Sequence, residues 1–282
     1  MNYLRHIAFC NRWNPEHYIP FVVGTIGYGW MRPAFAEELR RFPAVFVVDD
    51  HQVALHPALQ RFEERNGAVA AVLIELVRIG LIDHLMGELY PVLNDRSASP
   101  AFLLDRAAVS LFGVRSFGQH VNGYVEGEDG LSMWIGRRAA DRYTFPDLLD
   151  QMVAGGFPFG ISAEENLAKE CGEEAGISPE LAAQAMATGV ITYRCETETG
   201  LRSDTIYCYD LNLPASFNPV CTDGEVAKFY LWHIESVARM VAESDAFKPN
   251  CNLVMIDFLL RHGLITPDHH QFKELSSGLQ SL

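Results

Sequence analysis

Gly155–Ile177 reads GGFPFGISAEENLAKECGEEAGI, and the reading of the chain turns on it. Ser162 and Glu165 form an S-x-x-E capping box, so a helix is expected to start there. Gly176 is a glycine C-cap and should end it. Inside lie Glu170, Glu173 and Glu174, spaced i, i+3, i+4, which puts three carboxylates on one helical face. Leu167, Cys171 and Ala175 supply an apolar face. As bare structure this is costly. Like charges at these spacings repel by roughly 0.2–0.5 kcal/mol per pair, and the helix dipole disfavours anions near the C-terminus. A divalent cation reverses both penalties, and hard oxygen ligands on one rigid face suit Mg²⁺ or Mn²⁺. Spacing alone is equally compatible with a solvated acidic helix end.

The rest of the chain narrows the classes. It has 282 residues, 22 Lys+Arg against 36 Asp+Glu, a net charge of -14 and 49% hydrophobic residues. That length buries a substantial core. That charge argues against a nucleic-acid or membrane-surface binder, because both need basic patches. Six scattered cysteines without a C-x-x-C pair argue against a disulfide framework and a Cys-based zinc site, and fit a reducing cytosol. Met1–Cys10 has no long apolar run, so no secretory signal is read and a cytoplasmic location is expected. Ala68–Ile82 is interrupted by Glu75 and Arg78, too short and charged for a membrane span.

Pro91–Pro100, PVLNDRSASP, is polar and bounded by prolines, which suits a linker. It divides the chain into an accessory α/β unit, 1–100, and a larger unit, 101–282. In the first, a helix is expected over Pro33–Phe42, a strand over Val45–Val48, a break at Asn66-Gly67 and a helix over Ala68–Ile79. In the second, strands are expected over Gln119–Glu126 and Leu131–Arg137 around a turn at Gly127–Gly130. A short helix should follow at Pro179–Ala187. Three β-rich segments, Gly189–Tyr193, Asp204–Leu211 and Ala227–Ile234, precede two closing helices. This order suggests a sheet covered by helices on both faces.

The helix and its flanks resemble the Nudix hydrolase signature G-x5-E-x7-R-E-U-x-E-E-x-G-U, where U is bulky and apolar. Glu170, Glu173, Glu174, Gly176 and Ile177 match in register, Cys171 takes the apolar position, and Gly155-Gly156 resemble the opening glycines. Lys169 stands in place of Arg and cannot make the bidentate fork to a carboxylate. Ile161 stands where the early Glu falls, with Glu164 and Glu165 a turn later. Met133–Gly156, MWIGRRAADRYTFPDLLDQMVAGG, further resembles the Nudix domains related to thiamine-pyrophosphokinase-associated proteins. That group carries K-E in place of R-E and an N-terminal domain ending in a segment like Gly87–Val92.

The resemblance implies an α+β protein: an α/β/α sandwich around a mixed sheet, with a smaller N-terminal α/β domain. It implies Mg²⁺-dependent (or Mn²⁺-dependent) hydrolysis of a small organic diphosphate, with thiamine diphosphate or a damaged analogue suggested by analogy. Glu170 and Glu174 are then the principal metal ligands, with Glu173 a ligand or support and Glu225 a further ligand or base. Lys169 pairs with a box glutamate. Arg137 or Arg138, with Gly155 and Gly156, meets the phosphates. Strand alternation allows only one of the two arginines to do so. The implied partner is a small-molecule diphosphate, without nucleic acid or membrane, and a homodimer is compatible. The alternatives are a ligand-sensing Nudix module without turnover and an enzyme like isopentenyl-diphosphate isomerase, which would need a catalytic Cys and Glu outside the box. Gly24–Gly29 has the wrong spacing for a dinucleotide fingerprint. His84, Glu88 and Asp268-His269-His270 are read as structural or solvated.

Overall fold

Strand-forming runs build two larger sheets and one two-stranded sheet in the computed structural model, which describes residues 2–94 and 98–279. Helix α1 (Leu4–Cys10) comes first. It is followed by β1 (Ile19–Val23), β2 (Ile26–Met31), α2 (Pro33–Leu39), β3 (Phe46–Val48), β4 (Val53–Leu55), α3 (Phe62–Arg78), β5 (Leu89–Val92) and β6 (Phe102–Asp105). Then come α4 (Val109–Phe112), β7 (Arg115–Gly127), β8 (Gly130–Arg138), β9 (Leu149–Asp150), β10 (Val153–Gly156), α5 (Ala163–Ala175) and α6 (Pro179–Ala182). The chain continues through β11 (Met186–Glu196), β12 (Leu201–Asn212), β13 (Val226–His233), α7 (Ile234–Glu243), α8 (Pro249–Arg261) and α9 (Phe272–Gly278).

The larger sheet runs β11-β12-β7-β8-β13, with β10 added on β7 and β9 on β8. The β12–β7 pair is parallel and the other pairs are antiparallel, so the sheet is mixed. Every residue of β7 from Gln119 to Val125 is buried, which requires cover on both faces. One cover joins Tyr3, just before α1, and Ile7 and Cys10 of α1 to the apolar faces of α7 and α8. The other is built by Leu167, Cys171 and Ala175 of α5 with Ala182 of α6. The fold is therefore the expected α+β sandwich around a mixed sheet.

The smaller unit holds the sheet β2-β1-β4-β3 and the pair β5–β6. Its core is aromatic: the Phe21 ring meets Phe46, Phe102 and Phe112 edge-on, with centroids 6.5, 6.0 and 5.4 Å away. Val69, Val72, Leu73 and Leu76 of α3 close it. Two joints tie the units together. Arg5 pairs with Asp245 at 2.6 Å, and His6 Nε2 hydrogen-bonds the Val241 carbonyl at 2.6 Å, so α1 is fastened to the end of α7. The Phe159 N–H on the Leu89 carbonyl at 2.9 Å forms the second joint.

Three sequence expectations change. The Pro91–Pro100 segment is no free linker: Pro91 pairs with Leu103 and Val92 with Phe102, and Val92 and Leu93 are buried. Residues 95–97 of that expectation lie outside the described residues. Asn66-Gly67 does not break the helix, because α3 already starts at Phe62 behind a box in which Glu64 receives the Arg61 N–H at 3.0 Å. Asn66 Oδ1 instead accepts the Leu103 N–H at 2.7 Å and anchors β6. The helix at Pro179 stops at Ala182, because Met186 and Ala187 pair with Asp210 and Tyr209 in the sheet. Among the described residues no helix is long and apolar enough to cross a membrane.

Candidate active site

Helix α5 is built as its sequence demands. Ser162 Oγ accepts the Glu165 N–H at 3.2 Å and Glu165 returns the bond from the Ser162 N–H at 3.0 Å. At the other end Gly176 is left-handed at φ 64°, and its N–H reaches back to the Gly172 carbonyl at 3.1 Å, an αL cap, with the Ile177 N–H on the Cys171 carbonyl at 3.0 Å. The following loop satisfies the remaining carbonyls: Val220 N–H bonds the Ala175 carbonyl at 3.0 Å, and Thr222 N–H the Glu173 carbonyl at 2.8 Å. That loop leads directly to Glu225, so the cap of α5 also fixes the start of β13.

The Gly-Gly turn is pinned from β7. Gly155 pairs with Gln119 and Gly156 with Gly118. Gln119 Nε2 donates to the Ala163 carbonyl at 2.9 Å and Oε1 accepts from Asn166 at 2.7 Å. Asn166 also donates to the Gly156 carbonyl at 2.9 Å. Both glycines sit at close approaches: a Cβ on Gly155 would overlap the Glu170 side chain, and one on Gly156 the Tyr90 hydroxyl, so a substitution at either would displace that side chain.

The three box carboxylates separate by environment. Glu174 is buried and accepts the Ala154 N–H at 2.8 Å. Burial, reinforced by the charges of Asp150, Glu170 and Glu225, pushes its carboxyl up to about 8. Glu170 is mostly buried, and burial raises its carboxyl too; Lys169 opposes the shift, while Glu173 and Glu225 add to it. Glu173 lies nearer solvent. Lys169 Nζ bridges Glu170 at 3.1 Å and Glu173 at 2.8 Å, and is held protonated by both against its partial burial. Glu225 pairs with Arg142 at 2.7 Å. Glu170, Glu174 and Glu225 thus feel one another's charge; Lys169 and Arg142 partly offset Glu170 and Glu225, while the desolvated carboxyl of Glu174 is a hard oxygen donor whose hydrogen-bond partner is a backbone N–H. Such a donor set fits a divalent cation bound by oxygen.

Arg137 and Arg138 take different places. Arg137 leans on Asp147 at 3.2 Å at the surface. Arg138 directs its donors at protein acceptors: Asp150 at 3.0 Å and the carbonyls of Thr144 and Phe145 at 3.0 and 3.1 Å. It holds the 139–148 loop, in which Phe145 and Asp147 have φ of 52° and 62°. Asp150 also receives Lys248 Nζ at 2.7 Å and the Cys251 thiol at 2.7 Å. Burial alone would raise the Asp150 carboxyl, yet Lys248 and Arg138 bring it down to about 2. His120, Asp150 and Cys251 present three ligand-type atoms within 4.8 Å. That cluster needs no added cation, since Lys248 and Arg138 already balance its one carboxylate, and burial keeps the Cys251 thiol protonated.

A cavity of about 360 Å³ opens where the two units meet. Gly155, Gly156 and Glu225 line it from the larger unit, and Tyr90 and Arg106 from the smaller. Arg142, Arg202 and Asp204 also face it. Sequence reasoning did not single out Arg106, Arg142, Arg202 or Asp204, because no local spacing marks them. Arg106 reaches the cavity through the pairing of β5 with β6, Arg202 and Asp204 through β12, and Arg142 through the 139–148 loop.

The family described as "Domain of unknown function (DUF4743)" matches residues 2–116. The Nudix domain of Shewanella oneidensis NrtR, solved with ADP ribose, superposes with a TM-score of 0.43 at 13% identity, covering 57% of this chain and 94% of that one. "Nudix hydrolase 24, chloroplastic" of Arabidopsis thaliana is 41% identical over 283 residues, 99% of this chain and 78% of the relative. "Nudix hydrolase 20, chloroplastic" of the same plant is 40% identical over 290 residues, again 99% of this chain and 78% of the relative. With that identity along nearly its whole length, and a carboxylate helix closed by its own glycine turn, the chain belongs to the Nudix hydrolase family.

Proposed function

We propose that this Nudix hydrolase cleaves a small organic diphosphate in the cavity between its two units. The observation that carries this reading is the placement of Gly155, Gly156 and Glu225 on one wall of that cavity, with Glu170 packed directly behind Gly155. Glu170, Glu174 and Glu225, with Glu173 at the exposed edge, would hold Mg²⁺ or Mn²⁺. A bound divalent cation supplies charge stabilisation for the diphosphate and a more acidic water. The chain supplies the rest. The Ala154 N–H orients Glu174, Lys169 holds Glu170 and Glu173 apart from other partners, and the Gly155–Gly156 backbone leaves room for a phosphoryl group beside the carboxylates. Arg142, whose Nε is buried without a partner among the described residues, stands beside Glu225. It is better placed than Arg137 to meet an anion.

The N-terminal unit, expected as residues 1–100, closes the far side of the cavity and is proposed to read the organic part, since box carboxylates cannot distinguish one ester from another. The Lys169-Glu170 variant of the box and the segment Met133–Gly156 resemble the thiamine-pyrophosphokinase-associated subgroup. Thiamine diphosphate and its oxidised analogues are therefore first in a substrate panel. Five of the six cysteines are buried free thiols, which suits a reducing compartment such as the cytoplasm and offers little support for isomerase-type thiol chemistry. A panel of organic diphosphates assayed for phosphate and monophosphate, with and without Mg²⁺, tests the reading. Absence of Mg²⁺-stimulated cleavage across the panel overturns it.

Lys169 gives a milder test. Its ammonium is half-exposed, so its pairings are worth only about 0–1 kcal/mol each in stability. Its effect should appear in turnover. Lys169→Arg is expected to keep activity, and Lys169→Ala to lose roughly tenfold through a loosened Glu170, about 1.4 kcal/mol in the barrier. A fully active alanine variant would show that the pairing is dispensable.

A further inference from the structure

We propose that the smaller unit, which includes the β5–β6 pair, contributes a substrate-binding pair, Tyr90 and Arg106, which donates hydrogen bonds to the diphosphate from the wall opposite the box helix. This rests on the diphosphate reading given above. Two adjacent glycines are emptied of side chains by different parts of the protein. Gly155 makes way for Glu170 of α5, and Gly156 makes way for Tyr90 of β5. The phenol hydroxyl therefore stands one residue from a box carboxylate, although its strand belongs to the other unit.

The tyrosine is not explained by packing alone. Its ring is buried and forms part of the smaller unit's core, where a phenylalanine would serve. Its hydroxyl makes no hydrogen bond with any described residue, and the side chain lines the cavity, where a phenol O–H can donate to a ligand. Tyr90 pairs with Leu104, two residues before Arg106. That register brings the Arg106 guanidinium to 5.9 Å from the ring centroid, where Glu88 holds it at 2.8 Å. Both side chains line the same cavity as Gly155, Gly156 and Glu225. Burial keeps the phenol protonated; Arg106 opposes this, and Glu88, Asp204 and Glu170 reinforce it.

The chemistry is complementary. Ionised carboxylates only accept hydrogen bonds, so the box cannot itself grip phosphoryl oxygens. A neutral phenol and a guanidinium are donors, and the guanidinium is charge-assisted. Placed across the Gly-Gly turn, they hold the oxygens that face away from α5 and fix the diphosphate against the box. Tyr90 and Arg106 are thus positioning residues, acting on binding more than on the chemical step.

The test uses the full chain as Tyr90→Phe, Arg106→Met and Arg106→Lys. Methylenediphosphonate, a non-hydrolysable diphosphate, is titrated calorimetrically with and without Mg²⁺, and kcat and KM are measured on whichever diphosphate the panel shows to be cleaved. Loss of one donor to a charged ligand should weaken binding and raise KM by about tenfold, with kcat changed by less than about threefold. Arg106→Lys should recover part of the loss, and thermal melts should stay close to the parent because the ring and the aliphatic stem remain. Unchanged Kd and KM in folded Tyr90→Phe and Arg106→Met overturn the proposal while leaving the hydrolase reading intact. If the parent binds the diphosphonate but cleaves nothing in the panel, the substrate reading fails, and the Kd comparison still decides the pair. A parent that cleaves a diphosphate but does not bind the diphosphonate overturns the pair alone.

Discussion

Glu170→Gln and Glu174→Gln are each expected to lower kcat by at least about a hundredfold, the scale of losing a preorganised charge at a reacting phosphate. Gln keeps the shape and removes the anion, so the chain should stay folded. Glu174 adds a second signature. Its carboxyl is raised from 4.5 to about 8, chiefly by burial. A raised carboxyl favours the fold while both states are protonated, and that advantage is lost as pH climbs through the folded value. In chelator, the parent should therefore lose stability between about pH 4.5 and 8, whereas Glu174→Gln should not. The variant's melting temperature should exceed the parent's by a margin that widens up to pH 8 and then levels. Near-normal turnover in both variants would remove the box glutamates from the site. A parent melt that does not fall over this range would show that Glu174 is not desolvated as described.

Residues 101–282 made alone are expected not to fold. The expression would remove Tyr3, Ile7 and Cys10, which are buried in the larger unit's core beside α8. It would also strip Phe102, Leu104 and Phe112 of the partners they meet in the smaller unit's core. Fully burying one large apolar side chain is worth about 1.5–3 kcal/mol, so these losses together rival the roughly 5–15 kcal/mol of net stability a domain possesses. The expected result is insoluble protein, or soluble protein without a cooperative melt by circular dichroism. A cooperative melt, with diphosphate preferences and KM unchanged from the full chain, would show that the smaller unit neither supports the fold nor reads the substrate. The two sequence halves are therefore entangled at both ends of the first one, through α1 and through the β5–β6 pair.

The sequence by itself determined the local chemistry. The capping box at Ser162 and Glu165, the Gly176 cap and the one-sided spacing of Glu170, Glu173 and Glu174 are all encoded within a few turns, where neighbour spacing and backbone rules suffice. The long strands β7 and β8 were legible because an alternating run around Gly127–Gly130 has few other conformations open to it. What sequence could not reach was any decision made by a distant partner. Asn66-Gly67 looks like a breaker until Leu103 supplies a hydrogen bond from 37 residues away. Pro91–Pro100 looks like a linker until Phe102 lies beside Val92. Arg137 and Arg138 look equivalent until Asp150, Lys248 and Cys251 converge and engage one of them. The two glycines of the box looked like one feature, yet tertiary structure gave each a separate cause, Glu170 from its own helix and Tyr90 from the other unit. Spacing rules describe neighbours along one element; burial, desolvation and the approach of a second unit arise only when the chain has folded, and these decide which carboxyl is raised and which side chains wall the cavity.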